Sequence, residues 1–173
     1  MIIKVKHTDI VIENYSDLEE GDLVSIFSTV CDKIDTEQLA SFEVFFDNLD
    51  ERFKKLTFAY DFESIAPELP DFEIFLKRKK EEYELFFYES DRRVLFTIND
   101  DIVSFDILDT SKTNHIANGN ISLKDLVQIV EKLNNDFRDL LDRCFPKAFK
   151  IFEKENYLIK KAENRVDSPS HND

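Results

Sequence analysis

Tyr83–Asp109 reads YELFFYESDRRVLFTINDDIVSFDILD, and its organisation decides the fold. Three runs, Tyr83–Glu89, Val94–Asn99 and Ile102–Asp109, are rich in aromatic and β-branched residues. Ser90-Asp91-Arg92-Arg93 and Asn99-Asp100-Asp101 separate them with residues that suit turns. Links this short cannot carry a parallel crossover, so the three strands form an antiparallel meander.

Working outward, helices are expected on both sides. After the meander, Thr110–Asn120 reads as a polar loop and Ser122 as the cap of a long helix, with Asp125 three residues on. Leu123, Leu126, Val127, Val130, Leu133, Phe137, Leu140, Leu141 and Cys144 supply its apolar stripe. Pro146 interrupts that helix and suits the start of another, carrying Phe149 and Phe152. Before the meander, Leu23, Ile26, Phe27, Val30 and Ile34 mark one helical face; Ser16 with Glu19, or a start at Gly21, opens it. Leu39, Phe42, Phe46, Leu49, Phe53 and Leu56 step by three and four, which predicts a helix over Thr36–Leu56; Phe42–Phe46 as a strand is the competing reading. Ile2–Glu13 alternates as a strand or short hairpin, and Thr57–Phe62 reads as a further short strand. Phe72–Glu82 leaves helix and strand both open, because Pro70 suits a helix start while Phe72, Ile74 and Leu76 alternate.

The expected architecture is therefore α+β. An antiparallel sheet, the meander Tyr83–Asp109 plus an N-terminal strand, packs with two N-terminal and two C-terminal helices. With 173 residues, no repeat and no linker, one domain over residues 1–164 is the simplest account. Residues 165–173 read as a disordered tail.

Charge narrows the function. The formal net charge is -14, and it is uneven. Met1–Leu76 holds 18 Asp/Glu against 6 Lys/Arg, whereas Lys77–Asp173 holds 19 against 17. Nucleic acid and anionic membranes would be repelled, and no apolar run approaches the ~20 residues of a membrane span. Met1–Glu13 lacks a signal-peptide layout, and Cys31 and Cys144 fall on helical apolar stripes as thiols of a reducing compartment, so the cytoplasm is expected.

Catalytic designs find few parts. Only Gly21 and Gly119 are glycines, which excludes phosphate-cradling loops that need several. His7, His115 and His171 are scattered, so no metal site is expected. No G-x-S-x-G occurs, and no lysine has Asp or Glu two residues before it, so Pro70-Asp71 cannot open a PD-(D/E)xK nuclease motif. His115 reads as an ordinary loop histidine. The basic run Lys77-Arg78-Lys79-Lys80 is offset by Glu81, Glu82 and Glu84 and reads as a solvated turn or helix end. The chain is expected to be no enzyme and to need no cofactor.

The acids are what remains. Glu43, Asp47, Asp50 and Glu51 would lie on the wet side of the Thr36–Leu56 helix. Asp61, Glu63, Glu68 and Asp71 add the following loop. Together they are the candidate contact set for a basic protein partner, with a plain solubility face as the alternative. Tyr83, Phe87 and Tyr88 are candidates for aromatics left outward on the sheet.

In this general character, with the acidic Asp17–Glu51 segment foremost, the chain resembles the immunity proteins of contact-dependent growth inhibition and other bacterial polymorphic-toxin systems. The resemblance implies an acidic inhibitor that neutralises a cognate basic toxin domain by blocking its active site or substrate groove. The alternative is a non-catalytic adaptor or structural subunit that binds a protein through the sheet face or edge.

Overall fold

A computed structural model describes residues 1–6, 10–12, 22–43, 55–79, 82–87, 92–109 and 114–157. The expected fold class holds: helices pack on antiparallel sheets in an α+β arrangement. The element order is β1 (Ile2–Val5), α1 (Leu23–Thr36), β2 (Ala40–Glu43), β3 (Lys55–Leu56), a π-helical turn (Phe58–Phe62), α2 (Glu63–Ile65), a 3-10 turn (Ala66–Glu68), α3 (Leu69–Arg78), β4 (Glu82–Phe87), β5 (Arg92–Asn99), β6 (Ile102–Asp109), β7 (Asn114–Ser122), α4 (Leu123–Cys144) and α5 (Pro146–Lys154).

The meander forms as expected and gains a strand. β4-β5-β6-β7 is one antiparallel sheet. Between β5 and β6 the link is Asp100-Asp101, and Asp100 sits at φ 56°, a left-handed position that Asp tolerates better than most residues. The polar loop expected over Thr110–Asn120 is overturned from Asn114 onward, since Asn114–Ser122 is β7. Gly119 explains how so polar a segment docks. It lies opposite Phe105, and a Cβ there would come within 2.6 Å of the Phe105 ring. Ile116 is an extra residue in the ladder, because Ile107 pairs with Ala117 and Leu108 with His115.

The N-terminal strand does not join the meander. β1 pairs with β2, and β2 with β3, in a separate three-stranded antiparallel sheet. The same pairing overturns the helix over Thr36–Leu56 at both of its described ends. Gln38 turns out of α1 at φ 54°, and Phe42 then lies between Ile3 and Leu56. The competing strand reading begins at Phe42, inside β2; residues 44–54 lie outside the described residues. Thr57–Phe62, expected as a strand, is instead dominated by the π-helical turn.

Among the described residues, two substantial helices precede the meander and two follow it. α1 starts where Asp22 accepts a hydrogen bond from the Ser25 backbone N–H at 2.8 Å; Ser16, Glu19 and Gly21 lie outside the described residues. The reading left open over Phe72–Glu82 resolves as α3 up to Arg78. Leu69, Phe72, Phe75 and Leu76 turn inward at helical spacing, while Ile74, which strand alternation would bury, stays 39% exposed. α3 ends at Lys79 in the left-handed region, with Lys79 Nζ 2.8 Å from Asp101 Oδ1, so the described part of the basic run is a helix end. α4 carries the expected Ser122 cap, whose Oγ accepts from the Asp125 N–H at 3.0 Å, and Pro146 opens α5.

The buried apolar residues form one contiguous core. Phe62 is its hub, with ring centroids 4.5 Å from Phe137, 5.3 Å from Phe42 and Phe58, and 6.5 Å from Phe27. A second aromatic group joins α3 to the large sheet, where Phe72 lies 4.8 Å from Phe96 and 5.2 Å from Tyr83. The abundance of Phe is thus a packing solution that ties α1, the small sheet, the π-helical turn and α4 together. The Cys31 and Cys144 thiols are buried, and burial raises the pKa of both.

Candidate protein-binding face

The site begins with strand parity. Val94, Phe96 and Ile98 of β5 and Val103, Phe105 and Ile107 of β6 are buried. Leu85 and Phe87 of β4 are buried on the same side, where Tyr83 meets α3. Residues of the opposite parity all keep part of their surface in solvent. This is the pattern of an antiparallel sheet covered on one face only.

Register then fixes what the open face displays. One row runs Glu84, Leu95, Asp106, Asn118 across the four strands. The next runs Phe86, Arg93, Leu108, His115. Apolar and charged side chains therefore alternate in both directions. Arg93 Nη1 lies 3.1 Å from Glu84 Oε1, while its Nε is buried without a hydrogen-bond partner. His115 Nδ1 lies 3.6 Å from Asp106 Oδ1, and Ser104 donates to Asn120 Oδ1 at 2.8 Å. Glu82, Glu84 and Asp106 outnumber Arg93, so the face leans negative. The face is thus a half-wet checkerboard of Phe, Leu, Arg and carboxylates.

The expected contact acids are distributed differently. Glu43 is held by Lys4 at 2.6 Å on the small sheet. Asp61 is only 6% exposed and accepts hydrogen bonds from Thr57 N–H at 2.9 Å and Thr57 Oγ1 at 3.3 Å, which removes it from any contact surface. Asp47, Asp50 and Glu51 lie outside the described residues. Glu63 is half-buried, and its charge acts on Cys31 and Tyr157 beside α1. Glu68 and Asp71 do come together, next to Tyr83. The Tyr83 hydroxyl donates to the Glu68 carbonyl at 3.3 Å. Burial, then the charges of Glu68 and Asp71, push the Tyr83 phenol up to about 12.

Of the aromatics expected outward, Tyr83 and Phe87 face inward, and Tyr88 lies outside the described residues. Phe86, Leu95 and Leu108 face outward instead. The signal was present in β6, where Ser104 and Asp106 alternate with Val103, Phe105 and Ile107 and so set the parity of the whole sheet.

Burial, with help from Asp71, also raises the Glu68 carboxyl above its ordinary 4.5. A raised carboxyl means that the folded chain holds the proton more tightly than the unfolded chain. Its contribution favours the fold at low pH and is lost as pH rises from about 4.5 through the raised value. A pH titration followed by NMR is expected to place the Glu68 midpoint above 4.5, and Asp71→Asn to move it back toward that value. A Glu68 midpoint at or below 4.5 would contradict this placement.

A shallow hollow of about 100 Å³ lies between β1 and α4, lined by Val5, Asp136, Asp139, Leu140 and Arg143. Small-molecule sites run to roughly 300 Å³ or more, so this hollow suits a few waters rather than a substrate. Among the described residues no group of three His, Cys, Asp or Glu converges as a metal site, and no helix is long and apolar enough to cross a membrane.

No protein-family model, curated protein or solved structure matches the chain. The reading of its function therefore rests on the geometry of this face and on the charge of the chain.

Proposed function

We propose that the chain is a non-catalytic binding domain that docks a basic protein on the open face of β4–β7. In its most concrete form this is an immunity-type inhibitor seating a cognate toxin domain; an adaptor using the same face is the broader version. The observation that supports it most is the partial exposure of Phe86, Leu95 and Leu108 between Glu84, Asp106 and Arg93. Apolar anchors give such a face its affinity, and the carboxylates, in a chain at -14, favour a positively charged partner.

The test is capture of partners by the full chain, identification by mass spectrometry, and titration of the purified candidate. A basic partner is expected whose Kd rises with salt and rises at least about tenfold with Leu95→Arg or Asp106→Arg. Glu73→Arg, on α3, serves as the control with little effect. An acidic partner, or binding indifferent to Leu95 and Asp106, would reject the face. Loss of binding with Glu68→Lys plus Asp71→Lys, and not with the sheet variants, would move the interface to the acids before the meander.

A further inference from the structure

β7 reaches the open face through an irregularity. Ala117, Gly119 and Ile121 lie opposite Ile107, Phe105 and Val103, so they take the covered side of the sheet; Asn118, Asn120 and Ser122 take the open side. Unbroken alternation would send His115 to the covered side with Ala117. The bulge reverses this. His115 lies opposite Leu108, an open-face residue, while the extra Ile116 packs half-buried against the core. Bulges re-aim side chains in this way beside functional sites. The side chain brought onto the face here is the one imidazole among the described residues.

We infer that His115 sets the strength of docking by its proton: the face holds a basic partner best when the imidazole is neutral and less well when it is charged. This rests on the docking reading above and adds its regulation. The charges around His115 carry the argument. Asp106 on β6 is the one it meets, with Oδ1 3.6 Å from Nδ1. Arg93 on β5 lies in the same row beyond Leu108 and is engaged with Glu84 of β4. Asn118, the next open-face residue of β7, is uncharged. Asp109 and Arg92 belong to the opposite parity and act on each other. Among the described residues the open face of β4–β7 thus sets Glu82, Glu84 and Asp106 against Arg93, a surplus of two negative charges. Protonated His115 offsets Asp106 and leaves one. A single proton therefore halves the charge that draws a cationic partner. Imidazole is the side chain whose ordinary charge change falls in the range of cellular pH. By linkage, a docked cation drives the same proton off.

The probe is an end-blocked peptide of alternating Lys and Leu, whose own charge stays constant because lysine titrates far above neutrality. It is titrated into the full chain at low salt and followed by amide NMR shifts. The shifts are expected on β4–β7, with a Kd about threefold higher at about pH 5.5 than at about pH 7.5. His115→Gln is expected to give one Kd at both pH values. His115→Lys, which fixes the positive charge, is expected to bind at the higher pH as weakly as the native chain does at the lower. A native Kd that ignores pH while the peptide still sits on β4–β7 would overturn this inference and leave the docking reading standing. A pH dependence that survives His115→Gln would overturn it as well. A peptide that shifts no amide of β4–β7 at either pH would overturn both.

Discussion

Phe62→Ala is expected to lower the free energy of unfolding by about 3–5 kcal/mol, the usual range for truncating a buried Phe. Phe62 is 1% exposed and meets the rings of Phe27, Phe42, Phe58 and Phe137, which arrive from α1, β2, the π-helical turn and α4. Four separate elements cannot all shift to refill one vacancy, so most of the cavity should persist. A domain of this size is stable by only ~5–15 kcal/mol, which makes the loss a large share of the total. Urea unfolding should show the midpoint falling with little change in slope. Phe86→Ala, on the open sheet face, should cost less in the same assay, since that residue is already partly in solvent. Equal losses for the two variants would mean that Phe62 is not the hub.

The elements that were legible in the sequence are those whose pattern is local. α4 declares itself through nine stripe positions and a serine cap, and β5 and β6 through alternation and an Asp-Asp turn. The failures are those where a non-local partner decides. Leu39 and Phe42 are buried whether the chain coils or extends, so their three-residue spacing could not distinguish the two. The decision came from Ile3 and Leu56, one far upstream and one downstream, which pair on either side of Phe42. β7 was missed because Asn, Gly and His are weak strand formers. Its place is set by the β6 register and by the fit of Phe105 against Gly119.

The site was legible to a smaller degree for a related reason. Net charge is additive along a sequence, but exposure is not. Counting acids located the negative half of the chain and said nothing about which carboxylates the fold itself uses. Glu43 went to Lys4, Asp35 to the Ala59 N–H at 2.8 Å, and Asp22 to the start of α1. Each of these is an anchor that the fold uses to hold a strand, a turn or a helix end. The open sheet face, by contrast, needed only the parity of one strand and the pairing of its neighbours.

Asp61 shows the consequence most sharply. Asp61→Ala is expected to cost about 2–4 kcal/mol of stability, more than any change at an exposed acid. Its carboxylate satisfies the Thr57 N–H and hydroxyl just ahead of the π-helical turn, and its charge acts on Arg92, which is itself partly desolvated. Removing it takes the acceptor from the Thr57 N–H and hydroxyl and empties a buried position beside Phe58 and Phe62. Asp61→Asn keeps one acceptor oxygen at the same volume and should lose less, about 1–2 kcal/mol. Asp71→Ala, at an exposed position, should change stability by less than about 0.5 kcal/mol. Denaturant midpoints of the three variants separate a carboxylate that builds the turn from one that only charges the surface. If Asp61→Ala unfolded at the native midpoint yet weakened binding to a basic partner, Asp61 would belong to the interface rather than to the turn.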